Sequence, residues 1–184
     1  MTDHPILDLL RNRWSPRSFS NATISSEDIN ILLEAAIWSF SGGNLQPWFY
    51  IYAHRGTEGF ENILNNLSGG NQGWAKHAAV LMVSLAKKER DPGKPNLWSK
   101  HDLGAANMQM VLQALSMNIY GHFMGGFNSA GMAETLNIDT TVYEPIACIA
   151  LGYLGDPEQL EETLKIRETE PRKRKKIDEI SKLI

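Results

Sequence analysis

Residues 25–53 read SSEDINILLEAAIWSFSGGNLQPWFYIYA, and the change of pattern inside this stretch decides the fold class. Ser25 stands three places before Asp28, the spacing of a capping box, and Glu27 and Asp28 put negative charge where a helix start favours it. Ile29, Leu32, Leu33, Ala36, Ile37 and Phe40 then recur at helical spacing, and Gly42-Gly43 is the expected stop. From Trp48 to Ala53, aromatic and β-branched residues take over, which predicts a strand.

The pattern continues C-terminally. Glu58 to Leu67 is expected to be a short helix halted by Gly69-Gly70, and Ala78 to Ala86 a buried strand. Asp91-Pro92-Gly93-Lys94-Pro95-Asn96 is a loop by its turn residues. Ser99 is expected to cap a long helix reaching about Asn118, since Leu103, Ala106, Met110, Ala114 and Met117 repeat every three or four residues. Gly121 and Gly125-Gly126 read as interruptions, Ala130 to Leu136 as a shorter helix, and Pro145 to Leu154 as another buried strand. Leu160 to Leu164 is a weak helix, and Glu168 to Lys176 extended chain. Helices mixed with few strands give the class α+β. At 184 residues the chain is expected to form one domain, 1–184, with 165–184 as a C-terminal arm.

Composition narrows the function classes. Charged residues are 21% and hydrophobic residues 42%, ordinary for a globular protein. No apolar run is long enough for a membrane span, and Met1-Thr2-Asp3-His4-Pro5 lacks the pattern of a secretory signal. The lone Cys148 sits in an apolar run and reads as a buried small hydrophobe; with no second cysteine, a reducing, cytoplasmic setting is expected. Net charge is −3, yet five of the 18 basic residues fall in Arg172–Lys176, leaving 13 against 21 acids elsewhere. Nucleic-acid binding calls for a broad basic face, so no nucleic-acid partner is expected.

Five patches are candidates to carry chemistry. Arg13, Ser15 and Arg17 share one side if Arg13-Trp14-Ser15-Pro16-Arg17 is extended, and two guanidiniums beside a hydroxyl suit a phosphate. A solvated basic turn is the plain alternative. In Ser41-Gly42-Gly43-Asn44-Leu45-Gln46-Pro47-Trp48, glycines allow close approach to the backbone, and Asn44 and Gln46 suit a heteroaromatic edge; a helix C-cap followed by a polar turn also accounts for it. Asn71-Gln72-Gly73-Trp74 is either a ligand contact or a turn. Phe123-Met124-Gly125-Gly126-Phe127 offers adjacent amides for a carbonyl or ring nitrogen, or is a loop. The tail Arg172–Lys176 is a solvated run, a nucleic-acid patch, or the second half of a phosphate grip. The five histidines show no metal-ligand spacing, and no Gly-x-Ser-x-Gly, Walker or Gly-x-Gly-x-x-Gly motif is present. With no evident nucleophile and base, a cofactor is expected to carry the reaction.

Taken in order, these patches resemble the nitroreductase family of FMN-dependent oxidoreductases. The resemblance rests on Arg13-x-Ser15-x-Arg17, Ser41 to Trp48, Asn71-Gln72-x-Trp74, Met124-Gly125-Gly126-Phe127, Leu151-Gly152-Tyr153 and Arg172-x-Arg174, nearly the whole chain. It implies a central, mostly antiparallel sheet wrapped by helices, in an entwined homodimer with FMN at the interface. It implies that Arg13, Trp14, Ser15 and Arg17 hold the phosphate and ribityl side, and that Arg172 and Arg174 close on the same phosphate. Asn71 would reach the ring edge, Met124, Gly125 and Gly126 its carbonyl and N5 side, and Phe40, Ser41, Gly42 and Asn44 would come from the partner subunit. Departures are Phe40-Ser41-Gly42, where Pro-Ser-Ser is usual, and Trp74, where many members carry a lysine near the flavin. The implied activity is hydride transfer from NADH or NADPH through flavin N5 to a small electron-poor acceptor, a nitroaromatic or quinone. Alternatives are another flavin reaction on the same fold, such as dehalogenation or dehydrogenation, or a basic-tail binding module.

Overall fold

The computed structural model describes residues 4–184. In chain order the elements are α1 (Asp8–Asn12), α2 (Ser26–Ile37), β1 (Trp48–His54), α3 (Glu58–Asn65), α4 (Gly69–Ala75), β2 (Val80–Lys87), β3 (Glu89–Asp91), β4 (Lys94–Pro95), α5 (Ser99–Ser116), β5 (Tyr120–Met124), α6 (Ser129–Thr135), β6 (Tyr143–Gly152) and α7 (Glu162–Thr169). Four strands form one antiparallel sheet in the order β1-β2-β6-β5, and β3 and β4 form a separate hairpin. The fold is α+β, as expected.

Helices cover both faces of the sheet, which is why β2 reads as an unbroken apolar run rather than an alternating one. Leu81, Val83 and Leu85 join Cys148 and Ala150 of β6 against Phe60, Ile63 and Trp74 of α3 and α4. Val80 and Met82 join Ile149 and Leu151 on the other face, against Ile29, Leu32 and Ala36 of α2 and Ala106, Met110 and Ala114 of α5. Cys148 is buried and free, and burial pushes its thiol up to about 12. Among the described residues no helix is long and apolar enough to cross a membrane.

The capping box of α2 is present: the Ser25 hydroxyl accepts the Asp28 amide, and the Asp28 carboxylate accepts the Ser25 amide. Several boundaries differ from expectation. α2 stops at Ile37 with Trp38 as its cap, because Ser41 is extended and the Gly42 amide is drawn to Asp102 of α5. Gly69-Gly70 opens α4 instead of ending a helix, so Asn71 to Trp74 is helical and not a turn. Residues 91–96 are not a plain loop; Pro92-Gly93, with Gly93 at φ 73°, closes the β3–β4 hairpin. Ser99 does not cap α5, whose N-cap is Trp98 with no side-chain bond. Gly121 lies inside strand β5, since a Cβ there would meet Val111 Cγ1 at 2.8 Å and Leu151 Cδ2 at 3.3 Å. The glycine lets α5 lie close against the strand. The tail is helical through Thr169 and only then extended.

What positions the site is a clasp between the two ends of the chain. Phe19 bridges Leu154, the Ser20 amide donates to Tyr153, and the Gly155 amide donates to Ser18. These bonds hold residues 13–20 beside the segment that leads into α7.

Candidate active site

The backbone of the Arg13–Arg17 segment is organised by a buried acid. Glu168 of α7 has a side chain only 1% exposed. Its carboxylate accepts the Arg17 amide at 2.8 and 3.0 Å and the Ser18 amide at 3.0 Å, with the Arg17 guanidinium 3.9 Å away. A buried carboxylate is tolerable when amides and a cation surround it in this way. Arg17 is therefore partly neutralised from within.

Arg13 is different. Its guanidinium donates to Ser15 Oγ at 3.3 Å, so the extended segment does place these two side chains on one side. Arg172 donates to the backbone carbonyls of Arg13 at 2.6 Å and Arg11 at 2.7 Å, which ties the tail to the N-terminal segment. Arg13 is held below the ordinary guanidinium value, first by burial and then by the positive charges of Arg174 and Arg172. Among the described residues no carboxylate pairs with Arg13, Arg172 or Arg174. A dianion placed between such cations would relieve their repulsion.

His122 of β5 supports the same segment from below. Its Nδ1 donates to the Pro16 carbonyl at 2.8 Å and its ring packs on Trp74, centroids 4.5 Å apart. Burial, with smaller contributions from Arg17 and Arg13, pushes it down to about 4, so at neutral pH it holds the loop without adding charge. Trp14 meets Tyr120 edge-on at 6.4 Å. Neither His122 nor Glu168 was marked by the sequence as part of the site. Each is one polar residue in an unremarkable stretch, and only the tertiary clasp gives it a partner.

A second cluster joins α4 to the Gly125-Gly126 loop. The Ser68 amide donates to the Gly126 carbonyl at 2.9 Å, and Asn71 Nδ2 reaches the same oxygen at 3.3 Å. A Cβ on Gly126 would lie 2.8 Å from Ser68 Oγ, so this position is close-packed. Met124 turns its side chain into the core and offers only backbone outward. Trp74 is 1% exposed and packs on Phe19 and His122, which corrects its placement beside a bound ring: it is a core residue.

The third cluster is the Phe40–Asn44 segment. Gly43, Asn44 and Gln46 all have φ between 46° and 60°, a left-handed region that costs a non-glycine residue energy. The turn is held by Ser41 Oγ accepting the Gln46 amide and by Asp102 accepting the Gly42 amide, each at 3.0 Å. Phe40 stands exposed beside His101. A cleft of about 410 Å³ opens between this turn and the β3–β4 hairpin, walled by Gly42, Leu45, Arg90, Asn96, Leu97 and Trp98 among others. Among the described residues no cluster of ligating side chains could hold a metal.

Known proteins share this fold. The model of the nitroreductase family matches residues 10–66 and 53–153. A solved structure described as an oxidoreductase containing FMN superposes with a TM-score of 0.93 at 32% identity, covering 98% of this chain and 92% of that one. A protein of Archaeoglobus fulgidus, provisionally named an NADH dehydrogenase/NAD(P)H nitroreductase, is 27% identical over 151 residues, which is 82% of this chain and 84% of that protein. A nitroreductase-fold protein of Desulfovibrio desulfuricans, solved in complex with FMN, shares the fold at a TM-score of 0.79 and 21% identity, over 100% of this chain and 99% of that one. Matched from Leu10 to Tyr153 and superposing almost end to end, the chain belongs to the nitroreductase family.

Proposed function

We propose that this protein is an FMN-dependent oxidoreductase that takes hydride from NADH or NADPH and passes it to a small electron-poor acceptor, a nitroaromatic or a quinone. The observation that carries the reading is the cation cluster of Arg13, Arg172 and Arg174, assembled from the two ends of the chain and, among the described residues, without a carboxylate partner. The residues fit a flavin mononucleotide: a dianionic phosphate matches these cations, and a flat ring matches the open backbone of the glycine loops. Bound FMN would supply the hydride-transfer chemistry at its ring.

The chain's own residues bind and orient. Arg13 and Ser15 grip the phosphate, Arg174 adds its charge, and Arg172 fixes the segment that carries Arg13. Arg17 and Trp14 border the ribityl side. Asn71 and the amides of Gly125 and Gly126 face the ring edge, with Met124 contributing backbone. Phe40, Ser41, Gly42 and Asn44 complete the site from a second copy of the chain. A homodimer is supported by the large apolar residues left uncovered around that segment, including Trp38 at 78% and Leu97 at 87% exposure, with Phe40 and Trp98 beside them.

Titrating the purified protein with FMN tests the reading. Saturable binding at one flavin per chain, followed by quinone-dependent oxidation of NADH or NADPH, is expected. A protein that never takes up the flavin refutes it.

A further inference from the structure

The reading above leaves one buried acid without a task. Asp102, near the start of α5, has a side chain 3% exposed and uses both oxygens. Oδ2 accepts the Gly42 amide at 3.0 Å, and Oδ1 lies 3.0 Å from Nδ1 of His101. An ionised carboxylate can only accept, so Nδ1 of His101 carries a proton in this contact. The His101 side chain is 59% exposed. Its ring is steadied by Phe40, centroids 5.7 Å apart, and by Trp98, edge-on at 5.9 Å. Trp98 and Gly42 are also walls of the 410 Å³ cleft, whose lining mixes apolar side chains with Arg90 and Asn96, so the imidazole touches the cleft through the Trp98 ring. The neighbouring Lys100 is directed away, its ammonium 2.7 Å from Glu144.

We infer that His101 donates a proton to the acceptor molecule bound in this cleft, with Asp102 as the positioning residue that fixes the ring and ties it to the Gly42 turn; this rests on the function proposed above. The chemistry consumes a proton. A quinone that receives a hydride, drawn from the reduced nicotinamide, becomes a hydroquinone monoanion and needs one further proton. Nε2 first takes a proton from water; that Nε2–H bond then breaks as an O–H bond forms on the substrate. The neutral ring keeps its Nδ1–H on Asp102 and takes the next proton from water. The cleft suits a planar one- or two-ring acceptor carrying a carbonyl or nitro oxygen.

The test compares two acceptors on the flavin-loaded protein. A quinone needs the proton, whereas ferricyanide takes electrons alone. In His101→Gln the ratio of quinone to ferricyanide turnover is expected to fall at least about tenfold. An unaltered ratio overturns the inference. A second readout needs no turnover: ¹⁵N spectra of the imidazole in the purified protein. His101 is expected to show a protonated Nδ1. In Asp102→Asn the amide oxygen must stay on the Gly42 N–H, which turns the NH₂ toward Nδ1 and drives the neutral ring to the Nε2–H form. A wild-type ring already in the Nε2–H form overturns the inference, as does a tautomer indifferent to Asp102→Asn. Failure to take up FMN sinks the proposed function and this inference with it; FMN uptake with an unaltered ratio sinks this inference alone.

Discussion

Arg13 is the residue on which the site turns. It is half-buried, it donates to the Ser15 hydroxyl, and it feels the charges of Arg174 and Arg172 with no carboxylate, among the described residues, paired to any of the three. Arg13→Ala and Arg174→Ala are each expected to weaken FMN binding by about 1.5–3 kcal/mol, the range for a charge-assisted bond. Flavin fluorescence titration reads the effect, and unchanged affinity in both variants would remove the phosphate assignment. His122 supplies a second residue-scale test. Its value falls from 6.5 in the unfolded chain to about 4 in the fold. Between those two pH values the unfolded chain holds a proton that the folded chain excludes, so stability declines as pH drops from about 6.5 to 4. The loss should total about 3 kcal/mol. Urea unfolding of the cofactor-free protein across that range measures it, and His122→Gln should flatten the slope. Of these residues, the arginines were legible in the sequence because two basic clusters in an otherwise acidic chain invite a common anion. Glu168, His122 and the His101–Asp102 pair were not legible. Their partners lie 151, 106 and 60 residues away, and nothing local announces them.

At the scale of elements, what the sequence displayed well was anything with a period or a cap. The Ser25–Asp28 box, the apolar run of β2 and the Ala–Met face of α5 all fell within a few residues of their observed places. Glycines misled, because one residue type serves opposite ends. Gly69-Gly70 reads as a stop and begins a helix, while Gly121 reads as a break and sits inside β5. The second case is a packing requirement: Val111 of α5 occupies the space a side chain would need. Gly121→Ala is expected to cost about 1–3 kcal/mol by overpacking, and Val111→Ala in the same chain should recover part of it. Thermal unfolding of the single and double variants decides the matter; equal and additive losses would mean that helix and strand are not in tight contact there.

For the molecule as a whole, the sheet and its two helical layers hold three candidate surfaces in place: the segment around Arg13 and Arg174, the Asn71–Gly126 corner and the Phe40–Asn44 turn. Strand β5 links the first two, running from Tyr120 beside Trp14 to Met124 before Gly125. The third carries its own exposed apolar rim and is expected to be completed by a second copy. The dimer interface should exceed roughly 2,000 Å², the size of obligate assemblies. One measurement tests this most directly: sedimentation velocity of the FMN-treated protein, followed at both the protein and the flavin absorbance. We expect a single boundary at twice the chain mass that carries one flavin per chain. A stable monomer bearing flavin, or a dimer sedimenting free of it, would contradict the account.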